Sequence, residues 1–130
     1  MPCSYAIYKK PRLIITKVWD RVGFAEMRVH QEEFRNDPEF NPDFNLLIDA
    51  TGAVALEISS DEARTLTSQG LFSPTVRRAF LASNPAIFGM GRLLGAYSAM
   101  SIKQEQVRVF YDRASALEWL GVEEDPEGKT

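Results

Sequence analysis

Apolar and polar positions change their period several times along this chain, and each change marks an element. Tyr5-Ala6-Ile7-Tyr8 and Leu13-Ile14-Ile15-Thr16-Lys17-Val18-Trp19 are rich in β-branched and aromatic residues, with Lys9-Lys10-Pro11 as a turn between them, so the chain is predicted to open with a hairpin. Phe24, Met27, His30 and Phe34 then recur at spacings of three and four, one face of a helix that stops at Asn36-Asp37-Pro38. Leu46-Leu47-Ile48 is too short a run for a helix and predicts a buried strand, which Thr51-Gly52 breaks into a loop. Ser59 and Glu62 form a capping box that starts a second helix running to about Gln69, with Ala63 and Leu66 inward and Gly70 after its end. Residues 76–82 read as a strand, and Asn84-Pro85 caps a third helix lined by Ile87, Met90, Leu94 and Tyr97. Residues 107–111 are the last strand. Asp112 caps a final helix with Leu117 and Leu120 inward and Gly121 at its end, and Glu123-Glu124-Asp125-Pro126-Glu127-Gly128 reads as a polar tail with nothing to pack.

Strands separated by single helices pair in parallel through right-handed crossovers. The expected architecture is therefore α/β, a mixed and mostly parallel sheet of about five strands with about four helices. Residues 45–48, 76–82 and 107–111 should be neighbouring parallel strands, in one domain over 1–122 followed by the tail 123–130. A ligand in such a sheet belongs at the carboxyl ends of the strands, where residues 49–60 lie.

Composition narrows the function classes. The chain has 130 residues, 45% hydrophobic and 25% charged, which suits one core. No apolar run approaches the roughly 20 residues of a membrane span, and no signal peptide is recognisable at the start, so a cytoplasmic location is expected. Cys3 is the single cysteine, expected to be an exposed, incidental thiol, and no transition-metal site is expected from it and the lone His30. Residues 37–70 hold seven acidic side chains against Arg64, a local net of −6, while residues 71–113 carry a net of +4. The acidic total of −3 and the lack of a basic-aromatic motif argue against nucleic acid as a partner.

The junction around Asp49, Gly52, Leu56 and Ser59, set in this element order, resembles the STAS domain, named from sulfate transporters and anti-sigma-factor antagonists and typified by SpoIIAA. The STAS signature is approximately Asp-Leu-Ser-Gly-Val-x-x-Ile-Asp-Ser-Ser-Gly, and Asp49 matches its first aspartate, Gly52 the glycine, Leu56 the isoleucine and Ser59 the second serine. That serine is the phosphoacceptor in the antagonists, so the resemblance implies a phosphorylatable loop. Glu57 stands where the second aspartate belongs, Ile58 replaces the first serine and Ser60 the final glycine. Residues 37–42, Arg78-Ala79-Phe80, Phe88-Gly89-Met90-Gly91-Arg92 and residues 107–110 with 116–120 are similar to uncharacterised bacterial SpoIIAA-like proteins. Across nearly the whole chain the resemblance implies this fold, with no established reaction.

Each candidate site has a structural reading beside a functional one. Ser59 is an N-cap or a phosphoacceptor, with Glu57, Asp61 and Glu62 opposing a phosphate, and Ser60 is the other acceptor. Asp49 is a site acid or an acceptor for the amides of the Thr51-Gly52 loop. His30 is a hydrogen-bonded structural histidine or a base. Gly89-Met90-Gly91-Arg92-Leu93-Leu94-Gly95, with Asp112 beyond, is similar to a dinucleotide fingerprint, but its glycines fall inside the helix and not at its start, so no nucleotide cofactor is expected.

Helix three carries more apolar and small surface than one sheet-facing stripe needs, through Phe88, Gly89, Leu93 and Tyr97, which predicts either a pocket wall or a contact in a homodimer. No acid-base or nucleophile set assembles, so an enzyme is not expected. The sequence points to a non-enzymatic binding or regulatory module meeting a protein partner through the 52–60 loop and the start of helix two. The alternative is a carrier or sensor holding an apolar or lipid-like small molecule beside helix three, with Arg78 or Arg92 at its anionic head.

Overall fold

The computed structural model describes residues 2–68, 71–100 and 106–128. Its elements are β1 (Cys3–Tyr8), β2 (Leu13–Gly23), α1 (Phe24–Arg35), β3 (Asn45–Glu57), α2 (Ser60–Thr67), β4 (Arg77–Leu81), α3 (Pro85–Met100), β5 (Gln106–Phe110) and α4 (Arg113–Trp119). One sheet holds all five strands in sequence order. β1 is antiparallel to β2, and each later pair is parallel, as the capped helices between the strands require.

Strand parity divides the core between two faces. Leu13, Ile15, Leu47, Ala79 and Leu81 point to the face covered by α4, where they meet Ala116, Leu117 and Leu120. Ile14, Val18, Leu46 and Phe80 point the other way, toward Phe34 and Met27 of α1, Phe72, and Ile87 of α3. α2 lies between α1 and α3 and touches both. The three crossover helices thus share one face, the consequence of three successive crossovers of the same hand. α3 comes close to β4 because Gly91 has no side chain, and a Cβ there would stand 2.5 Å from Cδ1 of Phe80.

Three expectations are corrected. Residues 51–57 are strand and not loop, because β2 also continues and supplies partners from Trp19, paired with Gly52, to Gly23, paired with Glu57. β4 pairs β3 only over 46–49, so beyond that point β2 and β3 run on as a ribbon, with irregularities at Lys17/Trp19 and Asp20/Arg21 and Asp20 at φ 56°. Cys3 is buried against Met27 of α1, and burial pushes its thiol up to about 11. The tail is docked: Gly121 (φ 76°) ends α4, Val122 is buried, and Asp125 and Glu127 lie in a buried ion cluster. The residues Gln69, Gly70, Lys103 and Glu105 lie outside the described residues.

Candidate functional site

The face covered by α1, α2 and α3 is not filled. Two adjoining cavities, about 60 Å³ and 80 Å³ measured at the centre of a water-sized sphere, lie between it and the sheet. Met27, Gln31, Ile48, Leu66, Thr67 and Arg78 line both. His30, Phe34 and Phe72 close one end, and Leu56 and Ile58 of the ribbon with Leu94 and Ser98 of α3 close the other. Helical spacing explains α1's share, since Met27, His30, Gln31 and Phe34 are three, four and seven residues apart. Parity explains the sheet's share: Thr16 falls with Ile14 and Val18, and Arg78 with Phe80.

The polar groups set into these apolar walls carry the chemistry. His30 is 1% exposed. Its Nε2 is 3.2 Å from Thr16 Oγ1, and its Nδ1 has no hydrogen-bond partner. Burial lowers its pKa to about 4, so the imidazole is neutral at pH 7. Tyr5 and Phe34 meet the ring edgewise at 5.7 and 5.4 Å. Gln31 donates from Nε2 to the Leu66 carbonyl at 3.3 Å, while its buried Oε1 has no partner. Arg78 donates to the Ser98 hydroxyl at 2.8 Å and lies over the Phe72 ring, 5.8 Å from its centroid. None of the described residues lining either cavity is acidic. A largely apolar space whose lining residues include an arginine and a neutral histidine can bind a small molecule.

Of the residues singled out by sequence reasoning, Arg78 and His30 line the cavity and the others fall elsewhere. Asp49 points to the α4 face, where its Oδ1 accepts from the Thr51 amide at 3.0 Å and hydroxyl at 2.6 Å, and its Oδ2 faces Arg113 at 3.4 Å. Arg113 also holds Asp125 at 2.7 Å and Glu127 at 2.8 Å, and Lys17 holds Glu127 at 2.7 Å. Against the cost of burial, the bonds from Lys17 and Arg113 keep the Glu127 carboxyl below its ordinary value.

Ser59 caps α2, its hydroxyl accepting from the Glu62 amide at 3.1 Å while Glu62 accepts from the Ser59 amide at 2.9 Å. Gly52, Glu57, Ser59 and Ser60 are exposed. Phe88 stacks on Tyr111 at 4.4 Å and shares a shallow surface depression with Arg92. Gly89 faces open space, Leu93 is half-buried, and Tyr97 lies under Arg64. Sequence reasoning missed Thr16, Gln31, Thr67 and Ser98. The available signal was polarity at an inward position: Arg78 two residues before Phe80, and Gln31 four after Met27. Among the described residues no group of three or more His, Cys, Asp or Glu side chains is placed to hold a metal.

No family model and no curated protein matches this chain. Among solved structures, it is similar to an uncharacterised protein of the DUF3478 family with a SpoIIAA-like fold from Shewanella loihica PV-4. The TM-score is 0.59 at 17% identity, covering 91% of this chain and 93% of that one. The chain therefore has a SpoIIAA-like fold, a mixed five-stranded sheet with four helices. No helix among the described residues is long and apolar enough to cross a membrane.

Proposed function

We propose that this protein is a non-enzymatic binding module whose ligand is a small amphipathic acid, held between the sheet and α1, α2 and α3 with its acid group at Arg78. The observation that carries the reading is a cavity with largely apolar walls into which the strand parity of β4 brings the Arg78 guanidinium. Its size bounds the ligand. At about 10–15 Å³ per water-sized sphere, the two spaces take about ten non-hydrogen atoms, which favours a short acid over a full lipid. Native mass spectrometry of protein from its own host should show a retained small acid, and octanoate should bind in calorimetry. Arg78→Met should weaken octanoate at least about tenfold, the worth of one charge-assisted bond. A native protein that carries no acid and ignores octanoate removes the reading.

A second reading keeps a protein partner or a second copy of this chain on the ribbon. What favours it is that Trp19 (36% exposed) and Val54 (64% exposed) are exposed large apolar side chains, one on each strand of the ribbon. If this face makes a homodimer, Val54→Glu should give a folded monomer in analytical ultracentrifugation, whereas a monomeric wild type removes that version.

A further inference from the structure

The sheet ends at β5, whose outer edge is covered by no strand among the described residues. The Ala82 amide donates to the Phe110 carbonyl at 2.9 Å, and backbone groups alternate sides along a strand, so the N–H and C=O of Val107 and Val109 turn away from β4 toward that edge. α3 runs beside it, with the Val107 carbonyl 3.4 Å from where a Cβ on Gly95 would stand. Between helix and strand lies the shallow depression that Phe88, Arg92 and Gly95 share with residues 107–109. Side chains of consecutive strand residues alternate between faces, so three in a row border one depression only where it meets the edge of the strand. We propose that this edge is a binding site separate from the cavity, where an extended acidic segment of a partner protein adds to the sheet beside β5 with its carboxylates at Arg92 and Arg108.

Charge selects the occupant. Arg92 and Arg108 are exposed, and neither has an ion-pair partner among the described residues. Arg108 shares the register position of Ala79 and so stands on the α4 face, its guanidinium over the Phe110 ring at 5.3 Å, whereas Arg92 comes from α3 on the other face. Adjacent residues of an added strand point to opposite faces, so two neighbouring acids reach both arginines at once. The same charges disfavour a second copy of this chain. Antiparallel pairing about a two-fold centred on β5 would bring the two copies of Arg108 together, and like charges directly opposite destabilise a pair. An open edge needs a strand, and this one repels its own copy and suits an acidic partner.

The test titrates isotope-labelled full-length protein with the peptide acetyl-Thr-Val-Glu-Glu-Val-Thr-amide and follows the backbone amides by nuclear magnetic resonance. At about 1 mM and low salt, the peptide should shift the amides of residues 106–110 and 88–96 saturably. Glutamine in place of both glutamates should weaken binding about tenfold, and Arg92→Gln or Arg108→Gln about threefold each, the worth of an exposed ion pair. Methylating alternate amide nitrogens of the peptide tests the strand itself. One alternate set should abolish binding, and the other, pointing away from β5, should be tolerated. A peptide that leaves the β5 amides unmoved overturns the proposal, as does equal binding of the neutral peptide, indifference to both arginine changes, or tolerance of both methylated sets. A stronger response of the same amides to oligothymidylate would make the arginines a phosphate site and overturn the peptide. A wild type that dimerises through this edge would give it to a second copy and overturn it as well.

Discussion

The two faces of the sheet bury polar groups in opposite ways. On the α4 face, Asp49, Arg113, Asp125, Glu127 and Lys17 are charged and close to one another, and each is answered by an opposite charge. On the other face, Gln31 Oε1 and His30 Nδ1 are neutral, buried and without a partner, in residues that line the cavities with Arg78. Buried polar atoms ordinarily have partners, so the first arrangement follows the rule and the second departs from it. Sequence position misleads here. Asp49, in the STAS-like register and at the carboxyl end of its strand, belongs to the structural face.

Removing the centre of the paired face should have the largest effect. Arg113→Met would remove the guanidinium bonded to Asp49, Asp125 and Glu127, of which Asp125 is only 2% exposed at its side chain, while Lys17 stays beside Glu127. Breaking a buried ionic cluster by deleting one partner costs about 3–5 kcal/mol, which chemical denaturation would measure. Residues 123–128 should also lose protection from proteolysis, since Arg113 bonds both Asp125 and Glu127, and without it Glu127 keeps its bond to Lys17 of β2. A loss below about 1 kcal/mol would mean that the tail is not part of the structural face, and the contrast would fail on that side.

The unpaired face should be the one that responds to mild acid. His30 has an ordinary value of 6.5, taken as that of the unfolded chain, and about 4 in the fold, where burial disfavours the imidazolium. Between these values the unfolded chain binds a proton that the folded one refuses, so stability is fully present above pH 6.5 and is lost as pH falls toward 4. The total is about 3 kcal/mol, of which about 2 should be gone by pH 5. His30→Met should flatten the stability profile between pH 7 and 5, and an unchanged slope would mean that His30 is not buried neutral. A ligand carboxylate near the ring would push its pKa back up and reduce the acid loss.

The fold was legible because its signals are local. Capping at Ser59, Asn84 and Asp112, the periodicity of α1 and the apolar runs of β3, β4 and β5 each depend on neighbours in sequence, and the structure repeats them. The site was much less legible. Thr67 and Ser98 are unremarkable in their own helices and acquire a role only when α2 and α3 are laid against the sheet. Arg78 was visible as a charge in an apolar strand, but Arg77 beside it is exposed, and only the parity shared with Phe80 separates them. The ribbon was missed because Thr51-Gly52 is a breaker by local preference. Its pairing with Trp19 overrides that preference, a contact 33 residues away in sequence. The docked tail is a similar case: six polar residues look unfoldable until Arg113 supplies the charge that two of them need.

The smallest effect should come from a residue that touches neither face's buried polar groups. Ser59 caps α2, and α2 contributes Leu66 and Thr67 to the cavity wall. Ser59→Ala removes the hydroxyl that accepts from the Glu62 amide and frees one end of a short helix, at a cost of about 1 kcal/mol in chemical denaturation. The effect on ligand binding separates two accounts of the site. If the cavity is held open by the packing of α1 and α3 on the sheet, the variant should bind octanoate as the wild type does, within about twofold. If α2 acts as a movable wall, a frayed first turn should change the affinity by more than its small stability cost implies, because a partly unfolded α2 leaves the Leu66 carbonyl, and with it the Gln31 amide, unfixed. Unchanged stability in Ser59→Ala would remove the cap itself and leave the exposed Ser59 as a candidate for partner contact.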